Sequence, residues 1–340
     1  MVSISYIIPT FNNLNLLKRC ISSIEPQLDN DDKIIIINDG SNDGTKEYLQ
    51  ENFMGNRNYI ILNQPNKGSG VARNFGVEKC ETDYIWFVDA DDYLVEDAGI
   101  RVKTAIKINQ YDVLFVGYSI KISNTVLENK EVQFDLNDKI GLYLTEHYPW
   151  NKLIKKSLFQ NIEFPKVNMR FQDQATIPVI ISRAESIGAI SKPLYIYDMS
   201  HSNNISKNDK KRKDIYTAFL YLNKHYKNQN LKREELEALY IKIFIFDEAY
   251  HSNMNLFNIY LNLKYVYDFL EKNLSNWAES PLLTQKEISK YAFLLQNIKL
   301  KAFIGKVISV SPFIASILIF FLKFSKRTVL LISGNSLKKV

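Results

Sequence analysis

The segment Asp89-Ala90-Asp91-Asp92 places carboxylates one residue apart directly after the apolar run 84–88. Like charges this close disfavour joint ionisation unless they are well solvated or a cation lies between them. A hard divalent ion with oxygen ligands, Mg2+ or Mn2+, resolves that conflict and in turn grips a diphosphate. The competing reading is a helix start, with Asp91 or Asp92 as the capping acid. Two further polar segments come directly after apolar runs: Pro9-Thr10-Phe11-Asn12-Asn13 after residues 2–8, and Asn38-Asp39-Gly40-Ser41 after residues 33–37. Asp39 stands where an acid accepts a bond from a ribose hydroxyl or a base N–H, although Asp-Gly is also turn chemistry.

Residues 66–76 carry Asn66, Gly68, Gly70, Arg73 and Gly76. This is not a dinucleotide fingerprint, because the third glycine of G-x-G-x-x-G would fall at position 73, where Arg73 stands. The glycines permit a tight turn into a helix whose first N–H groups face an anion site. Arg73, one turn in, either pairs with phosphate or braces Asp89 or Asp91. No Walker A, HExxH or GxSxG pattern occurs, which removes the common ATPase, metalloprotease and serine hydrolase classes.

The elements that must position these loops are legible as alternating patterns. Residues 2–8, 33–37, 59–63 and 84–88 are β-branched or aromatic and short, as buried strands of a parallel sheet are. Between the first two, Leu14, Leu17, Ile21 and Ile24 repeat at helical spacing; residues 45–53 and 70–79 predict two more helices. Such alternation predicts βαβ units and a doubly wound, mostly parallel α/β sheet, with ligands bound beyond the carboxyl ends of its strands. Further on, strands are expected at 112–118 and 193–198 and a helix at 173–183, and residues 214–298 read as aromatic-rich helices.

Composition narrows the class. With 340 residues, 46% hydrophobic and 24% charged, the chain can bury a sizeable core, which excludes a disordered protein. Cys20 and Cys80 have no CxxC spacing and no paired histidines, so no disulfide framework or zinc set is expected. The start of the chain lacks a basic, cleavable leader pattern, giving a cytoplasmic expectation. The net charge is +6, but residues 299–340 hold eight basic residues and no acidic one, so the rest of the chain nets −2. Basic charge confined to an apolar tail points to an anionic membrane surface and away from nucleic acid.

Pro9-Thr10-Phe11-Asn12, Asn38-Asp39-Gly40-Ser41, Asn66 with Gly68, Ala72-Arg73-Asn74 with Gly76, and Asp89-Ala90-Asp91-Asp92 stand in an order and spacing that resembles family 2 glycosyltransferases of the GT-A fold, in particular bacterial enzymes that build surface glycans. The resemblance is strong to about residue 100, moderate to about 205 and absent beyond. It implies inverting transfer of a sugar from a nucleotide diphosphate donor, usually UDP-linked, to a glycan or lipid-linked acceptor, with Mn2+ or Mg2+. It places Pro9, Thr10, Asn12 and Asp39 on the nucleoside, and Asn66, Gly68, Arg73 and Ala90 along the donor site. Asp89 then touches ribose or a metal-bound water, and Asp91 ligates the metal.

Similar enzymes carry a Glu-Asp pair after a Trp-x-Lys-Leu-like segment. Here Trp150-Asn151-Lys152-Leu153 precedes Gln172-Asp173, so Asp173 aligns with the general base and Gln172 replaces the usual Glu; the plainer role for Asp173 is a helix cap. His201 is a candidate metal or phosphate ligand, set against a solvated histidine.

These readings divide the chain into a catalytic domain over 1–210, a helical region over 211–298 and a basic apolar tail over 299–340. Ser311-Pro312 predicts a helix start, and a helix from there to Lys323, about 18 Å long, is too short to span a hydrocarbon core of ~30 Å. The tail is expected to lie on the inner face of the cell membrane; the alternative is packing on residues 214–298 or on a second subunit. Two competing functions are a nucleotidyltransferase, which needs a glycine-rich, lysine-bearing loop after the first strand, and a non-catalytic sugar-nucleotide-binding scaffold.

Overall fold

The computed structural model describes residues 2–123, 125–132, 138–200, 212–226, 231–250, 255–289, 297–320 and 322. Two compact units form, one from Met1–Leu136 with His147–Leu231 and one from Asn137–Glu146 with Lys232–Val340. The expected boundary near 210 therefore falls inside the first unit. The reason lies in packing: in that unit the helix Asp214–Tyr226 contacts the helix Gln172–Arg183, Met169, Ala175 and Ala218 cluster, and Asp214 Oδ2 accepts from Arg170 N at 2.9 Å.

The first unit runs β1 (Ile4–Thr10), α1 (Leu14–Ile24), β2 (Lys33–Asn38), α2 (Thr45–Phe53), β3 (Tyr59–Asn63), α3 (Ser69–Lys79), β4 (Tyr84–Phe87), β5 (Tyr93–Leu94), α4 (Ala98–Asn109), β6 (Val113–Ile122) and β7 (Thr125–Lys130). After α5 (Lys139–Leu144), which belongs to the second unit, it resumes with β8 (Lys152–Lys155), α6 (Gln172–Arg183), β9 (Ile187–Asp198) and α7 (Asp214–Tyr226). Strands β3-β2-β1-β4-β8-β6-β9-β5 form one sheet, with β7 added on β6. The first four pair in parallel; β8 runs antiparallel to β4 and β6, and β9 parallel to β6.

Burial explains the apolar runs. Ile34, Ile35, Ile36 and Ile37 are all fully buried, because helices cover both faces of β2 and β1. Tyr6 and Ile8 join Leu17, Cys20 and Ile21 of α1 in the main core, whereas Ile7 and Ile37 face α3. Gly76 makes that second contact close: a Cβ there would lie 2.5 Å from Ile7 Cγ2.

The parallel register aligns Thr10 with Asn38 and Asn38 with Asn63, so the loops after β1, β2 and β3 leave one edge together. The loop after β4 joins them and then carries the chain to β5, four places along the sheet, at which residues 93–94 pair with β9. At about 4.8 Å per strand that crossing is ~19 Å, near the full reach of six Cα steps, so the sheet must curl. Tyr93–Leu94 is thus a strand and the next helix begins at Ala98, which removes the helix-cap reading of Asp91 and Asp92.

In the second unit, α8 (Arg233–Tyr240) continues into a π-helical turn at Ile241–Asp247, and then come α9 (Leu256–Asn273), α10 (Gln285–Ile288) and α11 (Ile298–Val310), with residues 312–320 helical. The ammonium of Lys242, buried in the π-turn, lies 2.9 Å from Asp247 and 3.6 Å from Glu146. These two carboxylates hold its pKa above the usual lysine value against the opposing effect of burial.

Candidate active site

Side chains of the first three loops knit the donor edge. Asn12, held at φ +51°, accepts from Asn42 N (2.8 Å) and donates its own N–H to Ser41 Oγ (3.0 Å). Asp43 accepts from Leu14 N and from Thr45, tying the loop after β2 to the start of α1. Asp39 is buried, and its carboxylate accepts from Gln64 Nε2 (2.7 Å), Lys67 N (2.8 Å) and Gly68 N (2.8 Å). Its three bonds fix the loop that carries Asn66 and Gly68. Pro9 is half-buried and Thr10 is buried, with Thr10 Oγ1 lacking a hydrogen-bond partner among the described residues. Enclosed, unpaired polar atoms on a strand edge are what a bound ligand would satisfy.

The acidic loop is pinned from several sides. Asp92 N donates to Asp89 O (3.0 Å), closing a turn. Asp89 N donates to Tyr195 Oη (3.1 Å), and that hydroxyl donates to Asp92 Oδ2 (2.7 Å). Asp92 Oδ1 takes Asp198 N at 2.8 Å, and Arg19 bridges the Asp198 carboxylate (2.6 Å) and the Asp91 carbonyl. Arg73 Nη2 reaches Asp89 Oδ1 at 2.8 Å, so of the two roles open to Arg73 the structure displays the brace. Ala90 is buried in the core.

The three acids of this loop therefore have different environments. Asp92 points inward; burial and its acidic neighbours push its carboxyl well above the usual range, although Tyr195 and Asp198 N favour the ionised form. Asp91 is pushed up to about 6 by burial and then by the charge of Asp89. Among the described residues the Asp91 carboxylate takes no side-chain partner. An acid destabilised by desolvation and by a like charge suits a divalent cation, so Asp91 with Asp89 are the residues fit to hold one. No cluster of three or more His, Cys, Asp or Glu suited to a metal occurs among the described residues, and His201 lies outside them.

Asp173 is the second residue of α6 and partly buried. Burial raises its pKa, the positive charge of Arg73 opposes that rise, and the charge of Asp89 adds to it. Acidic loop, arginine and Asp173 thus share one electrostatic environment. Sequence reasoning missed Arg19, Asp92, Tyr195 and Asp198 as supports of the loop; the one visible signal was the extra acid of Asp89-Ala90-Asp91-Asp92.

The family described as Glycosyl transferase family 2 matches residues 5–177 of this chain, a span that takes in every loop just described and Asp173. The chain belongs to glycosyl transferase family 2. Relatives of this glycosyltransferase include EpsH of Bacillus subtilis strain 168, 25% identical over 68% of this chain and 71% of EpsH. Poly(ribitol-phosphate) beta-N-acetylglucosaminyltransferase TarP of Staphylococcus aureus strain N315 is 27% identical over 89% of this chain and 95% of TarP. Among solved structures, S. aureus TarS 1-349 in complex with UDP-GlcNAc aligns with a TM-score of 0.68 at 17% identity, over 92% of this chain and 91% of that one. That likeness shows the GT-A fold, the α/β sheet with its C-terminal helical region that the sequence predicts.

Proposed function

We propose that this glycosyltransferase moves a sugar with inversion from a UDP-linked donor to a hydroxyl of a surface-glycan or lipid-linked acceptor, with Mn2+ or Mg2+. The observation that carries the reading is the grouping of a desolvated, destabilised Asp91 with Asp89, Arg73 and Asp173. Thr10 with the Asp39-ordered loop is suited to the nucleoside, and the complexes of TarS with UDP-GlcNAc and with UDP support that donor class. Asp91 and Asp89 would hold the cation, which when bound offsets the negative charge developing on the leaving diphosphate.

The remaining chemistry falls to protein groups. Asp173 accepts the proton of the acceptor hydroxyl at a carboxylate oxygen as that hydroxyl attacks the anomeric carbon. Burial keeps its pKa raised, so it is a stronger base than a solvated aspartate, and the positive charge of Arg73 opposes that rise. Attack from the face opposite the leaving group inverts the anomeric centre. Incubation with a panel of sugar nucleotides tests the reading: metal-dependent release of UDP supports it, and binding without turnover returns the scaffold alternative.

A separate observation favours membrane contact. Ser311 caps the helix over 312–320, its Oγ accepting from Ile314 N at 3.3 Å. Ala315, Ser316 and Ile319 are buried in the second unit, while Phe313 and Ile314 are more than half exposed, so both faces of this helix are apolar. No helix among the described residues is long and apolar enough to cross a membrane. With eight basic residues and no acid over 299–340, an anionic lipid surface is the occupant we assign, because a second copy would bring like charge against like. Sedimentation with anionic vesicles at low salt, lost in a Phe313→Glu, Ile314→Glu double variant, supports this. A concentration-dependent oligomer that ignores vesicles contradicts it.

A further inference from the structure

The residue before α6, Phe171, has φ +60°, a backbone region costly for an aromatic side chain and retained where surroundings demand it. The first turn of α6 is held tightly. Gln172 is buried and its Nε2 donates to Ser69 Oγ, the first residue of α3, at 2.5 Å. Its Oε1 occupies the space of a missing side chain: a Cβ on Gly70 would lie 1.7 Å from that oxygen, 2.8 Å from Gln172 Cδ and 3.2 Å from Phe164 Cβ. Gly70 and Gln172 are therefore a fitted pair. On the other side of Asp173, buried Gln174 shares a hydrogen bond of 3.0 Å between its Oε1 and His147 Nδ1. Asp173 itself takes short-range bonds from backbone N–H groups of its own turn, that of Gln174 at 3.0 Å.

Arg73 stands one turn beyond Ser69 and Gly70 on the same helix. Through α3 the contact of Gln172 thus fixes the first turn of α6 relative to the arginine that braces Asp89 and whose charge acts on Asp173. The chemistry of the side chain matters as well. An amide supplies the donor that Ser69 Oγ accepts and adds no charge, whereas a glutamate would place another anion beside Asp173 and Asp89 with Arg73 already engaged.

We propose that Gln172, lodged against Gly70, is a positioning residue for Asp173. The proposal rests on Asp173 being the general base, and the test keeps the two apart. Turnover of the fastest UDP-sugar and UDP affinity by titration calorimetry would be measured for Gln172→Met, which keeps volume and drops the amide, and for Gly70→Ala, which displaces it. Each is made in the wild-type and Asp173→Asn backgrounds. The expected result is a kcat reduced ten- to a hundredfold by either variant, UDP affinity within threefold, and no further loss once Asp173 is Asn. Unchanged kcat in Gln172→Met, or an equal loss in the Asp173→Asn background, overturns the positioning role. Full turnover in Asp173→Asn alone overturns the base assignment instead.

Discussion

Arg73 Nη2 lies 2.8 Å from Asp89 Oδ1, and the same guanidinium lowers the pKa of Asp173. One buried cation therefore serves both the acidic loop and the acid across from it. Because α3 carries Arg73 at a fixed point of its second turn, the helix that opens the 68–70 turn also sets the charge balance of the site.

Replacing Arg73 by Met removes that balance. Asp173 loses the charge that opposes burial, so its pKa rises and a higher pH is needed to ionise the base. The acid limb of the kcat–pH profile should move upward. A limb unmoved in the variant would dissociate Arg73 from Asp173.

Asp91 gives a stability signature. Its carboxyl is raised from 3.8 to about 6, so the folded chain binds more protons than the unfolded one between those values, and stability falls as pH rises through that window. The loss is at most about 3 kcal/mol at 1.36 kcal/mol per unit. Asp91→Asn should melt higher than wild type at pH 7.5 in chelator and the same as wild type below pH 3.8. Mn2+ with UDP should raise the melting temperature of wild type only.

Much of this arrangement is legible in the residue pattern, because strand and helix periods in residues 2–88 are strong and the polar loops come directly after the strands. Residues 45–53 form α2 over the span expected, and the 173–183 helix begins one residue earlier. What periodicity cannot carry is long-range pairing. Asp91 and Asp92 are the same residue type, and only the return of β9 beside β5, with Tyr195 and Asp198 on it, turns Asp92 inward. Arg19 meets Asp198 across 179 positions of sequence. The first unit extends past residue 210 for the same reason, since the packing of α7 on α6 comes from contacts that α7's own amphipathicity does not specify.

Tyr195→Phe isolates the pin under the acidic loop. The ring keeps its stacking on Trp150, 4.5 Å between centroids at 15°, while Asp89 N and Asp92 Oδ2 each lose a partner. Thermal unfolding should show a cost of about 1–3 kcal/mol, the range for leaving buried polar groups unpaired. The Mn2+ concentration for half-maximal turnover should rise severalfold. A loss of stability with no change in metal requirement would limit Tyr195 to holding the fold.

Asp173→Asn should leave UDP affinity within a few fold and cut turnover by roughly 10²- to 10⁴-fold, the size of a lost general base. Turnover equal to wild type would reduce Asp173 to a helix-start residue.

The most direct test of metal-assisted sugar transfer is UDP release from a panel of UDP-sugars by the full chain, with Mn2+ and with excess chelator. At least one donor should be turned over in Mn2+, with release abolished by chelator and by Asp91→Ala while the variant's circular dichroism matches wild type. Release at the same rate in chelator, or from none of the donors, would contradict it.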